Sequence, residues 1–186
     1  RMEGQGTYFY KNGDTYIGNW LNDNRHGEGI LSFSEGKKYK GFFFQNSING
    51  NGTMSFSDGR TFTGNWVDGS MEGNGVFQDL NGNSYEGQWE NNNYHGIGTF
   101  KYSNGNVYDG EWINGLRSGE GTLYQINGDI YQGNWSSNKK EGTGTYSAKN
   151  GEKYIGSWHN DQRSGNGTQI YSNGSEYKGQ WKNNLI

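Results

Sequence analysis

The stretch Gly4-Gln-Gly-Thr-Tyr-Phe-Tyr-Lys-Asn-Gly-Asp-Thr-Tyr-Ile-Gly-Asn-Trp20 decides the fold, because its pattern recurs every 23 residues along the chain. The pattern opens with Gly-x-Gly, continues with a lone glycine and closes with Tyr-x-Gly-x-Trp. The Gly-x-Gly pairs begin at eight positions: Gly4, Gly27, Gly50, Gly73, Gly96, Gly119, Gly142 and Gly165. A fixed period of this size is typical of a solenoid. We therefore expect residues 1–186 to form one elongated domain.

The composition excludes several classes of protein. Only 28% of the residues are hydrophobic, which alone would indicate disorder, but 16% are aromatic and these are placed periodically. The chain has no cysteine, so it has neither a disulfide framework nor a thiolate metal site. No segment has the length of a membrane span, and no signal peptide is visible. Because the chain starts next to a complete repeat and stops inside a connector, we expect a segment of a longer protein.

Each repeat predicts a β-hairpin around an Asx-Gly turn such as Asn12-Gly13. A two-residue loop would pair the aromatic residues with polar neighbours. A three-residue loop with a glycine bulge instead places Tyr16 opposite Tyr8 and Trp20 opposite Gly4, and we favour it. The predicted fold is all-β: an elongated single-layer antiparallel sheet of consecutive hairpins, with about 16 strands. The six-residue connectors, such as residues 21–26, are predicted to be polar returns between hairpins.

The favoured register gathers the aromatic residues on one face, which we call the aromatic face. We expect each Trp ring to lie across a glycine of the neighbouring strand. The residues form a predicted groove that either binds a partner or stacks for stability: Tyr16, Trp20, Tyr39, Phe43, Phe62, Trp66, Tyr85, Trp89, Tyr108, Trp112, Tyr131, Trp135, Tyr154, Trp158, Tyr177 and Trp181. The other side of the sheet, which we call the opposite face, is predicted to be polar.

The motif Tyr-x-Gly-x-Trp, followed by Gly-x-Gly and an Asx-Gly turn, resembles the MORN repeat from Gly4 to Trp181. The resemblance implies an elongated sheet with a groove, found in scaffolding and membrane-tethering proteins and beside lipid kinase or methyltransferase domains. It also implies that the repeats themselves are not catalytic. A cytoplasmic location follows, with the cytoplasmic face of a membrane or the cytoskeleton as narrower alternatives.

Enzyme chemistry is not indicated by the residues. His26 and His95 share one connector position and His159 occupies another, so no histidine cluster has the spacing of metal ligands or a catalytic triad. The Gly-x-Gly pairs precede no helix, which a phosphate-binding loop requires. We therefore predict no catalytic residue, no cofactor and no metal.

Binding of anionic phospholipid is an alternative function, as is a targeting role within a larger enzyme such as a lipid kinase. The net charge is −3, whereas headgroup recognition needs clustered Lys and Arg. The candidate headgroup contacts are Lys37, Lys38, Lys40, Arg117, Lys139, Lys140 and Arg163. We favour ordinary solvated charge for these residues, and the missing basic stripe also argues against nucleic acid.

Protein binding fits the sequence best, because a single-layer sheet leaves an apolar face to be covered. The predicted partner is another protein or a second copy in a homodimer. Departures from the repeat mark a candidate contact patch at Phe42, Phe44, Ile48, Met71 and Tyr94. The prediction is a non-catalytic scaffold that binds through the aromatic groove or through this patch.

Overall fold

The structure, a computed structural model, describes residues 1–186 as strands and turns. It has no helix long and apolar enough to cross a membrane. The chain divides into two compact units, Arg1–Asn93 and Tyr94–Ile186, which we call the N-terminal unit and the C-terminal unit. The predicted all-β fold of consecutive antiparallel hairpins, with sixteen strands, is confirmed.

Within each unit every strand pairs antiparallel with its neighbours in the sequence, in one layer. The first eight strands are β1 Gly4–Phe9, β2 Thr15–Leu21, β3 Asn24–Ser32, β4 Lys38–Phe44, β5 Ser47–Ser55, β6 Thr61–Val67, β7 Ser70–Gln78 and β8 Ser84–Glu90. The next eight are β9 Asn93–Lys101, β10 Val107–Ile113, β11 Leu116–Tyr124, β12 Ile130–Ser136, β13 Lys139–Ser147, β14 Lys153–His159, β15 Gln162–Ile170 and β16 Glu176–Trp181.

The loop inside the first repeat has the predicted form. The Tyr10 N–H donates to the Asp14 carbonyl at 2.9 Å, and the Gly13 N–H donates to the Tyr10 carbonyl at 3.0 Å. Gly13 has a φ of 90°, a left-handed conformation that favours glycine. Tyr8 pairs with Tyr16. The three-residue loop and its register are therefore confirmed.

The connectors differ from the prediction, because they are the turn ends of paired strands. β2 continues into β3 through Asn22 and Asp23, whose φ angles are 51° and 65°, and Leu21 pairs with Asn24. Two successive positive φ angles define a type I′ hairpin turn, which Asn, Asp and Gly tolerate. The prediction of a separate six-residue return over residues 21–26 is wrong.

The space above each glycine pair is filled by a tyrosine or by Phe62. A Cβ atom on Gly52 would overlap the Tyr39 ring, and one on Gly41 would overlap the Tyr39 hydroxyl. The same hydroxyl donates to the Phe42 carbonyl at 3.2 Å. Trp66 Nε1 donates to the Gly52 carbonyl at 3.2 Å. The prediction that each Trp lies across the glycines is thus only partly right, because the nearest ring belongs to the tyrosine.

Type I′ turns also join successive repeats. The Asn46 side-chain oxygen accepts the Arg25 N–H at 2.8 Å, and the Asn46 N–H donates to the Arg25 carbonyl at 3.1 Å. We call this double contact the Asx bridge. The same bridge joins Asn92 to Met71, Asn138 to Arg117, Asp161 to Lys140 and Asn184 to Arg163. Gly69 keeps the backbone bond to the Ile48 carbonyl at 2.9 Å but has no side chain to complete the bridge.

Candidate functional site

The aromatic face is buried by its own side chains. Tyr39 and Phe62 are fully buried, and Trp66 is 3% exposed. All sixteen predicted groove aromatics are buried except Tyr177, which is half-buried on the last strand. Since the sheet of each unit has one layer, the rings and the glycines beneath them provide this burial without a second layer.

Ring geometry explains how one layer can form a core. Tyr131 contacts Trp135 of its own repeat and Trp158 of the next repeat, each with centroids 5.1 Å apart and ring planes near perpendicular. Tyr39 contacts Phe43 and Trp66 in the same way. Edge-to-face pairs stabilise by about 0.5–1.5 kcal/mol beyond the area they bury. These aromatics therefore stack as a core, which is the second predicted alternative.

The opposite face of the N-terminal unit contains a concavity with a volume of about 940 Å³. Ile17, Ile30 and Phe42 form its apolar lining, and Lys40 and Thr53 are among its polar lining residues. Ile17 is 53% exposed and Phe42 is 48% exposed. Strand alternation explains their direction, because each lies one residue from a side chain that points to the aromatic face. An accessible apolar surface thus exists on the face that was predicted to be polar.

The predicted contact patch is divided between the two faces. Phe42 and Phe44 are exposed on the opposite face. Ile48 pairs with Phe43 and Met71 pairs with Trp66, so both lie half-buried at the edge of the aromatic face. Tyr94 belongs to the C-terminal unit, where its ring contacts Phe100 and Trp112. Within the N-terminal unit the four residues of the predicted patch thus lie on two different faces, so the prediction of a single patch is wrong.

Ile48 and Met71 share a position that we call the Trp-paired position, since it lies opposite the Trp or Phe of the same hairpin. In the C-terminal unit this position holds Arg117, Lys140 and Arg163. The Arg117 guanidinium carbon lies 4.3 Å from the Trp135 ring centroid. Lys140 Nζ lies 4.8 Å from the Tyr131 centroid and 5.0 Å from that of Trp158, and Arg163 Cζ lies 4.9 Å from that of Tyr154. These three residues, which we call the cation row, are therefore stacked on the rings of the core.

The cation row has no carboxylate ion pair, because none of the three residues takes part in the salt bridges of the structure. Burial lowers the pKa of Lys140, Asp161 opposes this effect, and the charges of Arg117 and Arg163 add to it. Between Lys140 and Arg163 lies a concavity of about 370 Å³, which Tyr146, Trp158 and Asn184 also line. The arrangement can accept an anionic group.

The seven candidate headgroup contacts are distributed over the two units. Lys37 pairs with Glu35 at 2.8 Å and lies over the Phe33 ring. Lys38 and Lys40 are exposed on β4 of the N-terminal unit. The other four lie in the C-terminal unit, where Lys139 Nζ donates to Asn160 at 3.0 Å and the remaining three form the cation row.

Titratable side chains are dispersed in the structure. His159 Nδ1 lies 2.9 Å from Glu141 Oε1 at the surface, and the His26 ring contacts Phe44. No group of three or more His, Asp or Glu side chains is placed to hold a metal ion. Tyr146 donates a short hydrogen bond to Asp129, and burial together with this bond raises its pKa to about 12. These contacts join neighbouring repeats and gather no set of catalytic groups.

Several functional features escaped the sequence reasoning. The concavity could have been found from Ile17 and Ile30, which pair across β2 and β3 and interrupt the polar alternation. The type I′ turns could have been predicted from Gly69 and Gly115, the only glycines outside the repeat pattern, because both lie in these turns. Gln169, an exception among apolar residues, accepts a hydrogen bond from Arg163 at 2.8 Å and is buried. No feature of the amino-acid sequence indicated that pair.

Three solved structures share the fold. The G-box domain of the microcephaly protein CPAP has a TM-score of 0.54 and 15% identity, covering 96% of this chain and 100% of that chain. The TCP domain of Drosophila melanogaster SAS-4 has a TM-score of 0.52 and 10% identity, covering 95% and 90%. The TCP10 domain of Danio rerio CPAP has a TM-score of 0.51 and 13% identity, covering 94% of each chain. At these identities the likeness concerns the fold alone.

No curated protein matches the chain by sequence. The family model described as MORN repeat matches nine successive segments: residues 1–15, 16–38, 39–59, 62–84, 85–107, 108–130, 131–153, 154–176 and 177–186. Each complete segment begins at the Tyr or Phe that covers a glycine pair, so the matched unit and the structural unit have the same period. The chain belongs to the MORN repeat family.

Proposed function

We propose that this chain is a non-catalytic interaction module that binds a segment of another protein in the concavity on the opposite face of the N-terminal unit. One observation carries the proposal: Ile17 and Phe42 are each about half exposed around a volume of about 940 Å³. Large apolar side chains gathered in a concave site are typical of protein and peptide binding.

A comparison of the repeats at the position of Phe42 supports this choice. The aligned residues in the other repeats are polar: Asn19, Asn65, Gln88, Glu111, Asn134, Ser157 and Gln180. The Phe42 side chain lies on the opposite face and contributes nothing to the stacked aromatic core, so stability does not account for it. A binding role does, because aromatic residues in concave sites provide much of the energy of protein interfaces.

The shared fold is compatible with such a role. The SAS-4 domain was solved in complex with a proline-rich motif of Ana2, which shows that a sheet of this kind can hold a peptide in that protein. The study of the CPAP G-box domain suggests a role in centriole elongation. For this chain we propose a cytoplasmic location at the cytoskeleton, on the fold alone.

The test is site-specific photo-crosslinking in an extract of the source cells. A photoreactive phenylalanine replaces Phe42 in one protein and Asn134, the aligned residue of the C-terminal unit, in a matched control. We expect one adduct with another protein at position 42, competed by unlabelled chain, and none at position 134. The partner is identified by mass spectrometry, and the substitution Phe42→Asn is expected to weaken its binding at least about tenfold.

Two results would contradict the proposal. Equal crosslinking at positions 42 and 134 would show that no partner binds specifically in the concavity. An adduct formed only with a second copy, together with a concentration-dependent dimer in light scattering, would make the surface a homodimer interface. The lipid alternative predicts salt-sensitive flotation of the chain with vesicles containing phosphatidylserine, at the same strength for Phe42→Asn as for the wild type.

A further inference from the structure

The cation row of the C-terminal unit is a second surface, independent of the concavity proposed above. Arg117, Lys140 and Arg163 lie on β11, β13 and β15, always at the Trp-paired position. Each is stacked on aromatic rings and none has a carboxylate ion pair. The guanidinium groups of Arg117 and Arg163 each donate one hydrogen bond within the chain, to the Asn138 carbonyl at 2.7 Å and to the Gln169 side-chain oxygen at 2.8 Å. Stacking on a ring face stabilises a cation but does not neutralise it.

The N-terminal unit shows that the core does not need these charges. There the same position holds Arg25, which pairs with Trp20 and stacks on the Phe43 ring, and then Ile48 and Met71, which pair with Phe43 and Trp66 without any charge. An apolar side chain would avoid the cost of partly burying a charge. Three successive cations at a position that accepts Ile or Met therefore indicate a ligand that carries negative charge.

The spacing of the row restricts the shape of that ligand. Successive cations lie two strands apart, which corresponds to about 9.6 Å at the usual strand separation. A polyproline II helix has three residues per turn and rises about 9.3 Å per turn, so every third side chain faces the same way at nearly this distance. A β-strand repeats its face every 6.6–6.8 Å or so, and an α-helix comes back to the same face after seven residues, about 10.5 Å.

The surface between the charges suits proline. Tyr146 and Trp158 line the concavity of about 370 Å³ between Lys140 and Arg163. Grooves lined by aromatic residues are a common binding site for polyproline II segments, because the rings pack against the prolines and the ligand is already extended. The Asn184 side chain at the same concavity can hydrogen-bond to a ligand backbone.

We propose that the cation row binds an acidic polyproline II segment of a partner protein, with a carboxylate at every third residue. Each carboxylate lies between or beside the cations, and the intervening residues pack on the aromatic rings. The charge complementarity and the repeat spacing favour a peptide over an anionic membrane, because the cations are partly buried between rings rather than extended toward a flat surface.

The probe is a fluorescein-labelled peptide of four Glu-Pro-Pro triplets, titrated with the whole chain by fluorescence anisotropy at low and moderate salt. Two peptides act as controls: four Gln-Pro-Pro triplets, and a peptide of the same composition with its four Glu residues consecutive. We expect the Glu-Pro-Pro peptide to bind at least about tenfold more tightly than either control, because charged hydrogen bonds are the strong ones. Binding should weaken as salt rises.

The protein variants are Lys140→Met and Lys139→Met. Methionine occupies the same position at Met71, so Lys140→Met is expected to fold, and its melting curve checks this. It should weaken Glu-Pro-Pro binding by about tenfold, whereas Lys139→Met, which removes the adjacent exposed charge, should leave binding within about twofold. Phe42→Asn should also leave it unchanged, which separates this site from the function proposed above.

The proposal is overturned if the Glu and Gln peptides bind equally, or if Lys139→Met weakens binding as much as Lys140→Met. It is also overturned if the peptides fail while phosphatidylserine vesicles bind in a manner that Lys140→Met abolishes, since the row would then contact a membrane. If the peptide with consecutive Glu binds as well as the triplet peptide, the spacing argument is wrong and the row binds acidic segments without regard to register.

Discussion

The two units of the chain have the same core and different surfaces. In the N-terminal unit, Tyr39 lies over Gly41 and Gly52, and in the C-terminal unit Tyr131 lies over its own glycine pair in the same way. Both tyrosines donate a hydrogen bond to the carbonyl three residues later. The residues that stack the hairpins are thus the same in both units, and they lie on the aromatic face of each unit.

The positions that the core leaves free are where the units differ. The Trp-paired position is apolar at Met71 and charged at Lys140, while the position of Phe42 on the opposite face is polar at Asn134. The N-terminal unit therefore has an exposed aromatic residue, Phe42, on the opposite face, and the C-terminal unit has three successive cations on the aromatic face where the N-terminal unit has Arg25 alone. A repeat fold can vary its binding chemistry at such positions because nearest-neighbour stacking does not depend on them.

The largest effect is expected at the glycines shared by both units. Gly52→Ala and Gly144→Ala each introduce a Cβ that overlaps the ring of Tyr39 or Tyr131, and we expect each to lower the free energy of unfolding by about 3 kcal/mol. Urea unfolding measures the loss. Gly6→Ala is the matched control, because its Cβ would meet Trp20 at an ordinary 3.4 Å. A unit that tolerates the substitution would not share this core.

Periodicity predicted the hairpin register and the pairing of Tyr8 with Tyr16, because a one-residue slip would have reversed the faces of every strand. It did not predict that the tyrosine covers the glycine pair, since residue spacing does not determine the side-chain rotamer. It left open whether the rings stack on one another or bind a partner. That outcome depends on the contact of Tyr39 with Trp66 of the next repeat, a distance between repeats that a pattern within one repeat cannot supply.

The second effect concerns alkaline pH. Burial raises the pKa of Tyr39 to about 12 and raises that of Tyr131 as well. Above about pH 10 the unfolded chain loses these protons while the folded chain keeps them, so the free energy of unfolding falls as the pH rises. Phe62 occupies the same position without a hydroxyl, so Tyr131→Phe is expected to fold and to flatten this fall. Equal slopes between pH 10 and 12 for variant and wild type would contradict the assignment.

A smaller effect is expected at the Asx bridge, where the two units offer opposite changes. Asn138→Gly removes the acceptor of the Arg117 N–H, a bond of 2.9 Å, and should lower the free energy of unfolding by about 1 kcal/mol. Gly69→Asn supplies the acceptor that is missing beside Ile48. There is open space at this glycine, and its φ of 82° is close to the 71° at which Asn46 and Asn138 make the same bridge. It should raise the free energy of unfolding by about 1 kcal/mol. Thermal melts compare both with Gly69→Ala, which fills the space without an acceptor and should show no gain.

The smallest effect separates the role of the cation row from stability. Burial lowers the pKa of Lys140, so the folded state disfavours the charged ammonium and the wild type is destabilised at neutral pH. Lys140→Met removes this cost along with a cation–ring contact, and the net gain should stay below about 1 kcal/mol at pH 8. As the pH rises toward and past the ordinary lysine value of about 10.4, both states lose the proton and the gain should shrink. The contribution of the tyrosines is common to both proteins and cancels in the difference. A loss of stability at pH 8 would mean that the cation holds the C-terminal unit together, and its charge would then need no ligand to explain it.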